Sequence, residues 1–198
     1  MFAEIGYLLV ALEAANGTVN PDEAARRFLS VHPGMTQEKA NGAAWQEGKR
    51  LLELAISERL EFAFETTLGG RTMAALLHRA PSEKIEVRIW YVGLASPELH
   101  IARVRSKTAS GGHDIPETKI RERYNTSRLN LVDLLPRLTE LRVYDNSEEG
   151  DPRKGIAPQP VLLLHMDHGR ILECCDLPAT PEWAKPILAA AMKSSGSI

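Results

Sequence analysis

Thr18-Val19-Asn20-Pro21-Asp22-Glu23 decides the reading of the fold, because a short strand-forming pair runs directly into helix-start chemistry. Asn20 suits a helix cap, Pro21 suits the first helical position, and Glu23 stands three residues after the cap. A helix is therefore expected to about Ser30, with Asp22 at a strand-to-helix junction. The same grammar recurs downstream. Phe62-Ala63-Phe64 reads as a short buried strand, Glu65-Thr66-Thr67 as a turn, and Gly69-Gly70 precede a helical pattern through Ala80. Ile85 to Gly93 form the next strand pattern, and Ser96-Pro97-Glu98 opens another helix by cap and proline.

Thr36 is expected to cap a long helix to about Arg59, on which Trp45, Leu51, Leu52, Leu54, Ala55 and Ile56 recur on a face wide enough for a core. Residues 3 to 15 carry Leu8, Leu9 and Leu12 at helical spacing before Asn16-Gly17, which predicts a helix there too. Strands alternating with helices imply βαβ units. The expected class is α/β, with a mostly parallel sheet, helices on both faces, and functional residues at the carboxyl ends of strands.

The tail differs in character. Pro160 to His165 and Arg170 to Cys174 flank the turn Asp167-His168-Gly169, a hairpin signal, and Thr180-Pro181-Glu182-Trp183 starts a last helix to about Met192. A polar run from Ser147 to Pro160 joins this tail to the body. A single domain over residues 1–198 is expected, with a core at about 19–147 and an extension at about 158–193.

The chain of 198 residues is 43% hydrophobic and 25% charged, which fits a globular protein with a full core and excludes wholesale disorder. Its formal charge of −2 gives no global attraction to nucleic acid or anionic membranes, so neither is an expected partner. The apolar start, Tyr7 to Leu12, is short, is flanked by Glu4 and Glu13 and lacks a positive leader, so a cytoplasmic location is expected. Adjacent Cys174 and Cys175 fit a reducing compartment. With His165 and His168 they are metal-competent types, but alternating side-chain directions argue against one shared ion, and no metal site is expected.

Gly111-Gly112-His113-Asp114-Ile115-Pro116-Glu117 is followed by Ile120-Arg121-Glu122-Arg123-Tyr124 and Ser127. Two glycines and a proline bracket a loop that opens a basic helix. Arg103, Arg105, Lys107, Lys119, Arg121, Arg123 and Arg128 stand against Asp114, Glu117 and Glu122, a local positive field in an acidic chain. This pattern fits a lid over phosphate, and it equally fits a solvated helical face.

Together with Asn20-Pro21-Asp22-Glu23, Phe64-Glu65-Thr66-Thr67-Leu68 and Val143-Tyr144-Asp145-Asn146-Ser147, all in the same order, the lid resembles the zeta-toxin-like family of P-loop small-molecule kinases. The resemblance runs from about Val19 to Ser147. It implies a P-loop-NTPase-like fold and transfer of phosphate from ATP, with Mg2+, to a hydroxyl of a small acceptor such as a UDP-amino sugar. An antitoxin or an oligomer would be the protein partner.

By the same resemblance Asp22 would be the general base, and Arg121 and Arg123 would stabilise charge on the transferred group. Glu65, Thr66 and Thr67 would bind the acceptor. Arg103 and Lys107 would contact phosphate from the lid, Lys107 standing where the family usually has arginine; Asp145 and Asn146 would contact the nucleotide. Each has a plainer account. Asp22 favours a helix macrodipole, Thr67 caps a helix, and Asp145-Asn146-Ser147 turns the chain.

This sequence departs from the family at one point. The nearest approach to G-x-x-x-x-G-K-[ST] is Gly42 to Gly48-Lys49-Arg50, where the spacer is one residue too long and Arg50 replaces the hydroxyl residue. The first strand and phosphate loop are thus expected to be missing, leaving neighbouring strands unpaired unless residues 3 to 15 rearrange to cover the gap. Two functions stay open: a kinase module impaired by that loss, or a non-catalytic relative that binds a nucleotide sugar or a partner.

Overall fold

The computed structural model describes residues 8–12, 18–109, 115–148 and 159–196. The loop glycines Gly111 and Gly112, with His113 and Asp114, lie outside them, as does most of the polar run after Ser147. Thirteen main elements follow in order: β1 Leu8–Leu12, β2 Thr18–Val19, α1 Pro21–Val31, α2 Gln37–Glu58, β3 Phe62–Thr66, α3 Arg71–Arg79, β4 Arg88–Gly93, α4 Pro97–Ala109, α5 Glu117–Leu134, β5 Glu140–Asp145, β6 Val161–Asp167, β7 Arg170–Cys174 and α6 Lys185–Ser194. The class is α/β.

Local chemistry explains most boundaries. Asn20 Oδ1 accepts from the backbone N–H groups of Asp22 and Glu23 at 2.8 and 3.2 Å, starting α1. Thr36 Oγ1 accepts from Lys39 N to start α2, and Arg59 ends that helix in the left-handed region at φ 55°. His168 and Gly169, at φ 46° and 73°, make the two-residue turn between β6 and β7, whose backbone twist suits a hairpin.

The seven strands form one sheet in the order β2-β3-β1-β4-β5-β6-β7. β2 pairs parallel with β3, and β4 with β5, whereas β1 runs antiparallel to both β3 and β4. The pairings of β6 with β5 and β7 are also antiparallel. This corrects the expectation of a mostly parallel sheet. β2, β3, β4 and β5 do point the same way, but a reversed strand separates β3 from β4.

That reversed strand also overturns the helix expected over residues 3–15. Leu8-Leu9-Val10-Ala11-Leu12 is a continuous apolar run, and such runs suit a strand flanked on both sides as well as they suit a helix. Its backbone aligns with Phe62–Thr66 on one side and Arg88–Tyr91 on the other. The centre of the sheet is therefore paired rather than missing a strand.

The main core joins Ile89, Leu141, Val143, Leu164 and Met166 of the sheet to Leu77 of α3, Leu131 and Leu134 of α5, and Ile187, Leu188 and Ala191 of α6. The C-terminal hairpin and helix thus share the main core rather than forming a satellite. Over β4 and β5 this packing takes one face. The alternate positions Arg88, Trp90 and Arg142 are part-exposed, and the Arg142 guanidinium lies 5.9 Å from the Trp90 ring centre. Helices on both faces, expected from the alternation, do not describe this half of the sheet. Two small clusters stand apart: Ala25, Ala40 and Ala44 between α1 and α2, and Ile101, Val104 and Ile120 between α4 and α5.

Trp183, 4% exposed, lies over the end of β4. A Cβ built on Gly93 would fall 2.2 Å from its ring, so the indole occupies the space a side chain would need. Trp183 Nε1 donates to Asp145 Oδ1 at 3.2 Å, and its ring is tilted against Tyr91. Gly93→Ala is expected to cost about 1–3 kcal/mol by overpacking. A thermal melt should show the loss as a fall of several degrees, and an unchanged midpoint would mean that the indole is not seated there.

Candidate functional site

β2 and β3 end side by side, since Thr18 aligns with Ala63 and Val19 with Phe64. Their carboxyl ends deliver Asn20, Asp22 and Glu65 to one place. Asn20 uses both ends of its amide: Oδ1 caps α1, and Nδ2 donates to Glu65 Oε2 at 2.7 Å. One side chain therefore fixes the helix start and the carboxylate together.

Burial pushes the Glu65 carboxyl above its ordinary range, the charge of Asp22 adds to that rise, and Lys107 opposes it. Lys107, near the end of α4, brings its Nζ to 3.7 Å from Asp22 Oδ2. Two carboxylates and one lysine thus share a small volume, as suits hydroxyl recognition.

The turn after Glu65 is held by α5. Thr66 Oγ1 accepts from Leu68 N at 3.2 Å, and fully buried Leu68 takes a left-handed φ of 51°. Asn130 Nδ2 donates to Leu68 O at 2.7 Å and Thr126 Oγ1 donates to Gly69 O at 3.0 Å. Gly69 packs so closely on α5 that a Cβ there would meet Arg123 Cγ at 2.6 Å and Cβ at 2.9 Å.

These pieces enclose a cavity of about 360 Å³ lined by Asn20, Asp22, Trp45, Gly48, Glu65, Thr66, Thr67, Lys119, Glu122 and Arg123, among others. That volume is in the range of small-molecule sites. Asp22 and Glu65 come from the β2 and β3 ends, and α5 supplies Lys119, Glu122 and Arg123, with Lys119 Nζ paired to Glu122 Oε2 at 3.0 Å.

The expected site residues divide into two groups. Asp22, Glu65, Thr66, Thr67 and Arg123 line this cavity, and Lys107 reaches Asp22. Arg121 is turned to Glu98 of α4 on the outer surface, one helical step from the cavity side, and is absent from the lining. Arg103 Nη2 donates to Glu148 O at 3.1 Å, which ties α4 to the segment after β5. Arg128 is engaged locally, over the Tyr124 ring and with Tyr124 O, Asn125 and Trp183 O.

Asp145 and Asn146 lie at the end of β5, away from that cavity. Asp145 Oδ1 accepts from Trp183 Nε1 and from the Ser147 backbone and hydroxyl, and Asn146 is 1% exposed. The cavity beside them is only about 50 Å³, bounded by Tyr91, Gly93, His100, Arg123, Ser127 and Trp183. Burial raises the Tyr91 hydroxyl to about 12, and burial with Arg103 and Arg123 lowers His100.

β1 runs against the strands that carry Asp22 and Glu65. Its carboxyl end, Leu12, lies beside Phe62, the start of β3, at the opposite edge of the sheet from Asp22 and Glu65. Among the described residues no group of three or more His, Cys, Asp or Glu is arranged to hold a metal ion. His165 meets Glu140, His168 meets Asp167, and Cys175 Sγ meets Thr180 Oγ1. No described helix is long and apolar enough to cross a membrane.

Several cavity residues, Trp45 and Gly48 among them, are not marked as site residues by the sequence. Trp45 was placed on the core face of α2 but is 42% exposed, and Leu54 of the same face is 40% exposed. The signal available was the pair Trp45 and Gly48, one turn apart, which the apolar periodicity of α2 conceals.

Because the folded protein holds the Glu65 proton more tightly than the unfolded chain does, its contribution to stability is fully present below the usual glutamate range, about 4.3, and declines as pH rises through the raised value. Glu65→Gln keeps an acceptor for Asn20 and should flatten that decline. Urea midpoints from pH 4 to 7 would test this, and parallel curves for both proteins would refute the burial of Glu65.

No family model matches this sequence, and no solved structure matches it. An uncharacterized protein of Haemophilus influenzae is 31% identical over 112 residues, covering 57% of this chain and 77% of that protein. The chain belongs to the same family as that Haemophilus influenzae protein.

Proposed function

We propose that this chain is a zeta-toxin-like kinase module whose acceptor half is built, and that it binds a hydroxyl-bearing small molecule, such as a UDP-amino sugar, without transferring phosphate to it. The observation that carries the reading is the meeting of Asp22 and Glu65 at the carboxyl ends of β2 and β3, in a cavity whose other wall holds Arg123 and the Lys119–Glu122 pair. Carboxylates accept hydroxyl protons, and cations suit the phosphates of an activated sugar. The identity of the acceptor comes from the family resemblance.

Binding is favoured over transfer by the direction of β1 and by Trp183. The carboxyl end of β1 lies at the end of the strands opposite Asp22 and Glu65, and the indole takes up the Gly93 end of β4 and the Asp145 carboxylate. In a catalysing relative Asp22 would be positioned to take a proton from the acceptor hydroxyl. In this chain the same carboxylate orients the hydroxyl and holds Lys107.

UDP-N-acetylglucosamine should raise the melting temperature of the protein, and ATP with Mg2+ should add nothing. Asp22→Ala should weaken the sugar-dependent shift about tenfold in midpoint concentration while costing the free protein no more than about 1 kcal/mol of helix-terminus stabilisation. Phosphorylation of the sugar by the wild-type chain, abolished in Asp22→Ala, would overturn the non-catalytic reading in favour of the kinase.

A further inference from the structure

We infer that Trp45 is the stacking wall of the cavity and that Gly48 keeps its floor open, so that the pyranose ring of the ligand lies on the indole with its hydroxyls toward Glu65 and Asp22. This inference rests on the acceptor-binding reading and adds the residues that select a sugar ring. Trp45 is 42% exposed on α2 and lines the cavity, although its area would contribute substantially if buried in a core. An exposed tryptophan beside carboxylates suits a ligand with an apolar ring face and a hydroxyl rim.

Gly48 supports the same geometry. It stands one helical turn after Trp45, and a Cβ built on it meets nothing within 4 Å. Close helix packing therefore does not require glycine at this position. Glycine within a helix costs about 1 kcal/mol relative to alanine, and here the missing side chain leaves cavity volume that a larger residue would fill. The polarity of the cavity orients the ligand, with the neutral ring between Trp45 and Glu65 and the anionic portion toward Arg123, since Lys119 is already paired with Glu122 at 3.0 Å.

The test is calorimetric titration of the full chain with UDP-N-acetylglucosamine, N-acetylglucosamine 1-phosphate and UDP, using wild type, Trp45→Ala, Trp45→Phe and Gly48→Leu. Trp45→Ala should weaken both sugar ligands at least tenfold and leave UDP unchanged, Trp45→Phe should recover most of the loss, and Gly48→Leu should abolish sugar binding. Gly48→Leu should melt at or above the wild-type temperature, because its Cβ meets nothing within 4 Å, and Trp45→Phe and Trp45→Ala should melt within several degrees below it, because the indole is partly exposed. Unchanged sugar binding in Trp45→Ala or Gly48→Leu overturns the assignment alone, and a loss confined to the two uridine ligands, UDP and UDP-N-acetylglucosamine, with N-acetylglucosamine 1-phosphate unchanged, shows that a base stacks on the indole instead of a sugar. Failure of wild type to bind any of the three ligands overturns the acceptor reading and this inference with it.

Discussion

The sheet depends on the pairing of β1 with both β3 and β4. Leu8–Leu12 aligns with Phe62–Thr66 on one side and Arg88–Tyr91 on the other, so the β2–β3 pair that carries the site is joined through it to β4 and the rest of the sheet. Without a strand there, two rows of backbone donors and acceptors would face each other unpaired, a cost no core packing offsets cheaply. An antiparallel strand satisfies those groups as fully as a parallel one. Its consequence is directional, because the chain leaves β1 at the edge remote from Asp22 and Glu65.

With the centre closed, the site is organised by a few side chains that each perform two tasks. Asn20 caps α1 and holds Glu65, so the position of the carboxylate is coupled to the start of the helix that bears Asp22. The Leu68–Gly69 turn is fastened to α5 by Asn130 and Thr126, and the same close approach places Arg123 at the cavity wall. The two walls, Asp22 with Glu65 on one side and Lys119, Glu122 and Arg123 on the other, are thus set by separate packing events, one at the β2–β3 ends and one between the β3 turn and α5. Local electrostatics follow from that arrangement: burial and Asp22 raise Glu65, while Lys107 moderates the effect.

Much of this was readable along the chain, because the signals were short-range. Asn20 with Pro21, Thr36, and Ser96 with Pro97 marked helix starts through hydrogen bonds that close within a few residues, and His168-Gly169 marked a turn through its backbone freedom. Where a residue's role depended on what lay opposite, reading failed. Trp45 looked like a core residue because periodicity reports a face and not what the face meets. Arg121 and Arg123 looked equivalent, yet two residues of helix turn one toward Glu98 and the other toward the cavity.

By itself the sequence determined the α/β alternation, most helix boundaries, the C-terminal hairpin and the placement of Asp22 and Glu65 at strand ends, since each is written in residues a few positions apart. Only the tertiary structure decided that Leu8–Leu12 is a strand, that it runs backwards through the sheet, that Trp183 covers Gly93, and that Trp45 faces a cavity. An apolar run satisfies a helix or a strand equally well until its neighbours are known, and the direction of a central strand is set by which unpaired backbone groups it must meet.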